Sequence, residues 1–307
     1  MNYGIVGLGK QGQQHLKALQ ALARFDSELK IFICDTDKEY VDKLSKELNF
    51  PGFYSCTEML VSVKIDVLIV ALPNDKYKEV LELNELKNTY VIKEKPLAVS
   101  FDEAQLFIDL LSSKKVLFTV VQNRFFANHY NVAKKWLESN LVGDILFFEY
   151  RYVLNDKKES WYWDPKSGGG CWINIGWHFA FIIEWFFGNP VEINVNKIKS
   201  SKRAWEYQTD DTVFVTCSYD GFVGRAYMSV VDSLTEDSFK IVGSLGTIII
   251  SKDDAVLIDN YGNKKDKEKA ENLLSYMYQA KEVLNKDVRE NLMDLNIKTM
   301  KIISDNI

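Results

Sequence analysis

Apolar and polar positions follow two different patterns along this chain. Through the first 120 residues, short apolar runs at Tyr3–Val6, Leu29–Cys34, Val67–Leu72, Tyr90–Ile92 and Val116–Val121 alternate with segments near 11–24, 37–48, 75–87 and 101–114, where apolar residues recur at helical spacing. Strands alternating with helices predict βαβ units and a parallel sheet, and near-continuous apolar strands fit a sheet covered on both faces. After about residue 122 the pattern changes. A helix is predicted near 128–139, a long strand at Ile145–Leu154, and a second helix from about Trp172 to Phe187. Four or five strand-like runs follow between 191 and 259, punctuated by Asp220-Gly221, Gly243 and Gly246, and they read as a mostly antiparallel sheet with helices on one side. The Lys-rich segment Gly262–Lys269 reads as a solvated turn, and helices near 267–285 and 289–305 close the chain. The expected fold class is a doubly wound parallel α/β domain over 1–121, then an α+β domain over 122–307 built on a mostly antiparallel sheet. The last helix is free to pack back on the first domain.

At 307 residues, 47% hydrophobic and 26% charged, the chain can bury a sizeable core, and its composition argues against long disorder. A net charge of -5 without a basic stripe argues against nucleic-acid or anionic-membrane partners. No apolar run approaches a membrane span. The start, MNYGIVGLG, reads as a strand at once, so no secretory leader is expected. Cys34, Cys56, Cys171 and Cys217 are scattered, which signals neither a disulfide framework nor a zinc knuckle; a reduced, cytoplasmic setting is the expectation. His15, His129 and His178 lie far apart without an HxH or HExxH pattern, so no metal is expected.

Residues 4–16 read GIVGLGKQGQQHL, in which Gly7, Gly9 and Gly12 form GxGxxG between an N-terminal strand and an amphipathic helix. Gly7 permits the tight turn, Gly9 lets backbone approach a pyrophosphate, and Gly12 lets helix pack on strand. The helix start at Lys10 and Gln11 offers free N–H groups and a positive dipole end to phosphates. In the stretch IFICDTD, Asp35 supplies the carboxylate that binds an adenosine ribose 2′-OH and repels a 2′-phosphate. NAD is therefore favoured, with NADP possible. Two further stretches, ALPND at 71–75 and the Glu94-Lys95-Pro96 run, sit at predicted strand ends, where open α/β sheets bind ligands. The charged residues of VIKEKPL at 91–97 are thus expected to line a crevice.

The order GIVGLGKQGQQH, Asp35, ALPN, EKPL, QNRF at 122–125 and SGGGCWINIGWHFAFIIEWFFG resembles the Gfo/Idh/MocA family, whose members include glucose–fructose oxidoreductases and inositol dehydrogenases. The resemblance covers both domains. It implies a Rossmann domain, and Lys95 as the active-site lysine contacting the substrate oxygen, with the Lys95–Pro96 bond cis. It places Leu72, Pro73, Asn74, Glu94 and Pro96 beside the cofactor, and Asn123 and Arg124 at the site. A lysine ammonium can donate to an oxygen that gains charge.

The 172–187 segment is apolar all round and so reads as buried. Asn174 and His178, four residues apart, share one face, with Cys171 near it. The resemblance makes His178 the general base, a task that suits an imidazole near neutral pH. Two departures stand out: the aspartates of the family's signature fall at Asn174 and Phe181. Asn174 can hydrogen-bond but carries no charge, so His178 is expected to be less basic than in aspartate-bearing relatives.

With 7 Trp, 15 Tyr and 18 Phe the chain can also furnish aromatic pocket walls. Trp161 and Trp163, just before the glycines, are the candidates; most other aromatics read as core. Thr209, Asp210 and Asp211 are further candidates for reaching the pocket. The resemblance implies NAD(P)-dependent hydride transfer at a secondary alcohol or ketone of a sugar, cyclitol or nucleotide-sugar, in a homo-oligomer. The alternatives are an imine or double-bond reductase on the same scaffold and a non-catalytic nicotinamide-binding sensor.

Overall fold

The structure is a computed structural model describing residues 1–154 and 160–307, without the side chains of Ser160, Trp161, Asn272 and Leu274. It divides into two compact units, one comprising Met1–Gln122 with Tyr276–Asp294, the other Asn123–Ser275 with Leu295–Ile307.

The first unit is built on strands β1 (Asn2–Val6), β2 (Lys30–Cys34), β3 (Gly52–Phe53), β4 (Val67–Val70), β5 (Tyr90–Lys93) and β6 (Phe118–Val120). They form a parallel sheet in the order β3-β2-β1-β4-β5-β6. This is the doubly wound Rossmann order, which reverses between β1 and β4. Strands β4 and β5 are buried at every position, as central parallel strands covered on both faces must be. The helices are α1 (Lys10–Ala23), α2 (Lys38–Leu48), α3 (Cys56–Ser62), α4 (Tyr77–Leu81) and α5 (Phe101–Ser113). Asp37, Ser55 and Ser100 cap α2, α3 and α5 by accepting from the backbone N–H three residues on.

The second unit carries α6 (Asn128–Glu138), β7 (Ile145–Val153), α7 (Ser160–Trp163), α8 (Trp177–Phe187), β8 (Glu192–Ile198), α9 (Lys202–Tyr207), β9 (Thr212–Tyr219), β10 (Phe222–Ser229), β11 (Glu236–Gly243), β12 (Gly246–Ser251), β13 (Asp254–Asp259) and β14 (Lys264–Lys269). The strands form one sheet in the order β14-β13-β12-β11-β7-β10-β9-β8, antiparallel throughout except for β10 against β7. Its buried face is filled by Phe148, Tyr150, Met228, Phe239, Ile241 and Ile248, and α8 is apolar nearly all round. Helices α10 (Asn272–Glu282) and α11 (Lys286–Ser304) end the chain. The Tyr3 hydroxyl donates to the Ala280 carbonyl (3.0 Å) and the Gln122 N–H to Gln279 (3.2 Å), which ties α10 into the first unit.

The elements depart from the sequence reading in four places. The expected helix over 75–87 is instead α4 between single 3₁₀ turns at Asn74–Lys76 and Asn84–Leu86. Lys114 donates to the Leu81 and Leu83 carbonyls (2.9 and 3.2 Å), satisfying from outside what a longer helix would satisfy internally. Six strands rather than four or five fall between 191 and 259 among the described residues. The Lys-rich segment expected to be a turn is edge strand β14, whose lysines blunt an open sheet edge. The short β3, α3, α7 and α9 had no counterpart in the pattern.

Candidate active site

In the first unit the glycine loop follows β1. Gly7 sits at φ +90°, and a Cβ there would collide with the Ala71 carbonyl; a Cβ on Gly12 would collide with the Gly7 carbonyl. Loop, β4 end and α1 are therefore in contact that only glycine allows. Gly9 is different: nothing lies within 4 Å of a Cβ built on it. It is also the N-cap of α1 and supplies no side-chain cap, so the helix start, with Lys10 and Gln11 exposed, is open to an anion. Asp35 follows β2 and meets this loop, its Oδ2 accepting from the Leu8 N–H (2.7 Å) and its Oδ1 from the Asp37 N–H (3.1 Å). Each oxygen keeps a lone pair for a ribose hydroxyl. Leu72 and Pro73 are half-buried after β4, and Asn74 is buried. These residues all lie at the carboxyl ends of β1, β2 and β4.

The charged end of β5 does not line a crevice as a group. Lys93 is 0% exposed and Glu94 6%; only Lys95 is half-buried. Glu94 Oε1 lies 2.8 Å from His15 Nε2 of α1, and its Oε2 accepts from the Lys95 N–H (3.2 Å). Burial pushes the Glu94 carboxyl upward, but His15 and Lys95 outweigh this and hold it below its ordinary value. Lys93 Nζ donates to Asn74 Oδ1 (3.2 Å) and to the carbonyls of Glu94 (3.1 Å) and Pro96 (2.5 Å), and sits 3.5 Å from the centroid of the Tyr77 ring. Burial pulls its pKa well below the ordinary lysine value; Glu103 and Glu94 oppose this, and Lys95 adds to it. Three acceptors nevertheless match the three N–H donors of an ammonium, where a neutral amine has only two. The Lys95–Pro96 bond is cis.

In the second unit, residues 172–176 form a π-helical turn leading into α8. Asp210 Oδ2 accepts from the Trp172 N–H (2.6 Å), and Trp172 Nε1 donates to the Ile303 carbonyl (3.1 Å). Asn174 and His178 are half-buried on a segment otherwise almost wholly buried. The His178 ring meets Tyr152 edge-on at 5.9 Å. Phe181, at the position of the family's second aspartate, is 1% exposed and packs on Phe125 and Trp185.

His178 lines a cavity of about 130 Å³ together with Asn123, Arg124, His129, Tyr152 and Asp237. Arg124 donates to Asp237 (2.7 Å) and to the Tyr150 hydroxyl (3.0 Å), with Tyr152 4.8 Å from its guanidinium. Burial opposes the Arg124 charge, but Asp237 and the tyrosines hold its pKa well above the ordinary value. Among the described residues, Asp237 Oδ1 and His129 Nδ1 are buried without a hydrogen-bond partner. Burial also pushes the His129 pKa down.

Other expected pocket residues stand elsewhere. Trp163 is 3% exposed and is a core residue, while the Trp161 side chain lies outside the described residues. Thr209 is buried; Asp210 caps Trp172; and Asp211 accepts from the Ser200 N–H and hydroxyl and the Ser201 N–H, so these carboxylates hold loops in place. The sequence reading gave no role to His15, His129 or Asp237, and it placed Lys93 on a crevice wall where the structure buries it. Asp237 carries no local signal, since it becomes a site residue only by pairing with Arg124, 113 positions away.

Residues 1–122 match the family model described as oxidoreductase family, NAD-binding Rossmann fold, and residues 130–249 match the GFO/IDH/MocA C-terminal domain. The chain belongs to the Gfo/Idh/MocA oxidoreductase family. It is similar to an uncharacterized oxidoreductase of Schizosaccharomyces pombe, 26% identical over 247 residues that make up 76% of this chain and 66% of that one. It is also similar to glucose-6-phosphate 3-dehydrogenase of Bacillus subtilis, 24% identical over 257 residues, 78% of this chain and 71% of that one. The chain spans half of a second Schizosaccharomyces pombe oxidoreductase, at 50% of its length. The crystal structure of an NAD-binding oxidoreductase from Klebsiella pneumoniae shares the fold of this Gfo/Idh/MocA protein, with a TM-score of 0.82 at 15% identity over 100% of this chain and 96% of that one. No helix among the described residues is long and apolar enough to cross a membrane.

Proposed function

We propose that this protein is an NAD-dependent dehydrogenase acting on a secondary alcohol or ketone of a sugar, cyclitol or nucleotide-sugar. The observation that carries the reading is His178, half-buried on an otherwise apolar segment and lining a small polar cavity. The family and the similarity to a glucose-6-phosphate 3-dehydrogenase support the reaction class.

The open glycine loop and Asp35 fit a dinucleotide and would hold its pyrophosphate and adenosine ribose. NAD, when bound, supplies the two-electron acceptor or donor. Asp35 disfavours a 2′-phosphate, which is the ground for preferring NAD to NADP. In the oxidative direction His178 takes the substrate hydroxyl proton and returns it in the reverse direction. Lys95, the active-site lysine by resemblance, donates a hydrogen bond to a substrate oxygen as its charge grows. Asn174 acts as a neutral hydrogen-bonding partner on the histidine's segment. Arg124, held by Asp237, fixes the cavity wall rather than moving protons. The open face of the eight-stranded sheet exposes Phe214 (47%) and Val223 (54%), which supports a homo-oligomer. Neither the imine-reductase nor the sensor reading gains an observation of its own.

The test is reduction of NAD⁺ against a panel of sugars, sugar phosphates, cyclitols and nucleotide-sugars, repeated with His178→Ala and Lys95→Ala. Turnover that falls roughly a hundredfold or more in both variants is expected. Full activity in His178→Ala would remove it as the base, and NADH binding with no turnover on the whole panel would favour the sensor.

A further inference from the structure

Two residues before Lys95, at the last position of β5, Lys93 is completely enclosed. The strand reads Tyr-Val-Ile-Lys, and the buried pattern asks for another aliphatic residue there. A buried ammonium is costly unless its donors are all satisfied. Here they are satisfied by neutral oxygens from two loops: Asn74 after β4, and Glu94 and Pro96 after β5. One side chain thus clasps both loops at the carboxyl end of the sheet.

The clasp also settles how Asn74 is turned. An ammonium only donates, so the Asn74 carboxamide must present its oxygen to Lys93, leaving the N–H₂ end for something else. Asn74 is 5% exposed, and its Nδ2 has no hydrogen-bond partner among the described residues. A buried amide left unpaired is unfavourable unless a ligand brings an acceptor. The glycine loop and Asp35 serve the β1-β2-β3 half of the sheet, which takes the adenosine. The β4 and β5 ends belong to the half that takes the second mononucleotide.

We infer that Lys93 is a positioning residue for the nicotinamide half of the cofactor: it turns Asn74 to donate its N–H₂ to an oxygen of the nicotinamide mononucleotide, and it holds the turn that carries Lys95. This rests on the dinucleotide reading proposed above.

The experiment compares the affinities of NADH and ADP for the wild type, Asn74→Asp and Lys93→Met by calorimetric titration, with melting temperatures recorded alongside. Asn74→Asp keeps an acceptor facing Lys93 but replaces the free donor with an acceptor. It should weaken NADH about tenfold or more, leave ADP within about twofold, and not lower the melting temperature. Lys93→Met should show the same selectivity, and the double variant should lose no more NADH affinity than the worse single one, because both act through one contact. Losses in Asn74→Asp that are equal for NADH and ADP, or absent for both, would overturn the role of Lys93 and Asn74. A wild type that binds neither nucleotide would overturn the dinucleotide reading itself, and this inference with it.

Discussion

At the end of β5 a lysine ammonium is enclosed by three carbonyl-type oxygens and a tyrosine ring; in the second unit an arginine is enclosed by tyrosines and one carboxylate. Both cations are buried, Lys93 at 0% and Arg124 at 8% exposure. They differ in what they would leave behind. Lys93 is a compact charge whose acceptors are neutral, so it can pin loops together without an ion pair. Arg124 offers a planar fork and is matched to Asp237, so each charge depends on the other. The first arrangement organises a backbone turn, whereas the second builds a polarised cavity wall.

The contrast is broken most severely by Asp237→Ala. That change strands a buried guanidinium and should cost about 3–5 kcal/mol in chemical denaturation, part of which Arg124→Met in the same chain should restore. Lys93→Met leaves only neutral carbonyls unpaired and should cost less, about 1–3 kcal/mol. A larger loss in Lys93→Met than in Asp237→Ala would reverse the distinction drawn here.

The smallest effect is a pH dependence beside the arginine pair. Burial lowers the His129 pKa from its ordinary 6.5; Arg124 adds to this, while Asp237, Asp254 and Glu268 oppose it. Below the ordinary value the unfolded chain therefore binds the proton that the folded chain refuses. Stability should fall as pH drops below about 6.5, by at most about 1.4 kcal/mol per pH unit, and His129→Gln should flatten that slope. An unchanged slope would mean that His129 is not the group responsible.

The same two regions show what the sequence could and could not reveal. β1, β4 and β5 were legible because central parallel strands are apolar at nearly every position. The glycine loop and Asp35 were legible because their spacing is local. VIKEKPL was only half legible. Its charges looked alike in sequence, yet Lys93 turns inward to brace a turn, Glu94 pairs with His15 79 positions earlier, and Lys95 alone stays partly open. The Arg124–Asp237 pair was invisible because its partners lie 113 positions apart, Arg124 in the segment before α6 and Asp237 on β11. β14 was missed because an exposed edge strand needs no apolar face, so it leaves no alternating pattern.

The most direct test of the account is a side-by-side fluorescence titration of the protein with NADH and NADPH, repeated on Asp35→Ala. Asp35, held against the loop by the Leu8 N–H, should make NADH bind at least about tenfold more tightly than NADPH, and Asp35→Ala should narrow that gap. Equal or tighter binding of NADPH by the wild type would contradict the assignment of NAD, and absence of binding by either would contradict the dinucleotide site on which the account stands.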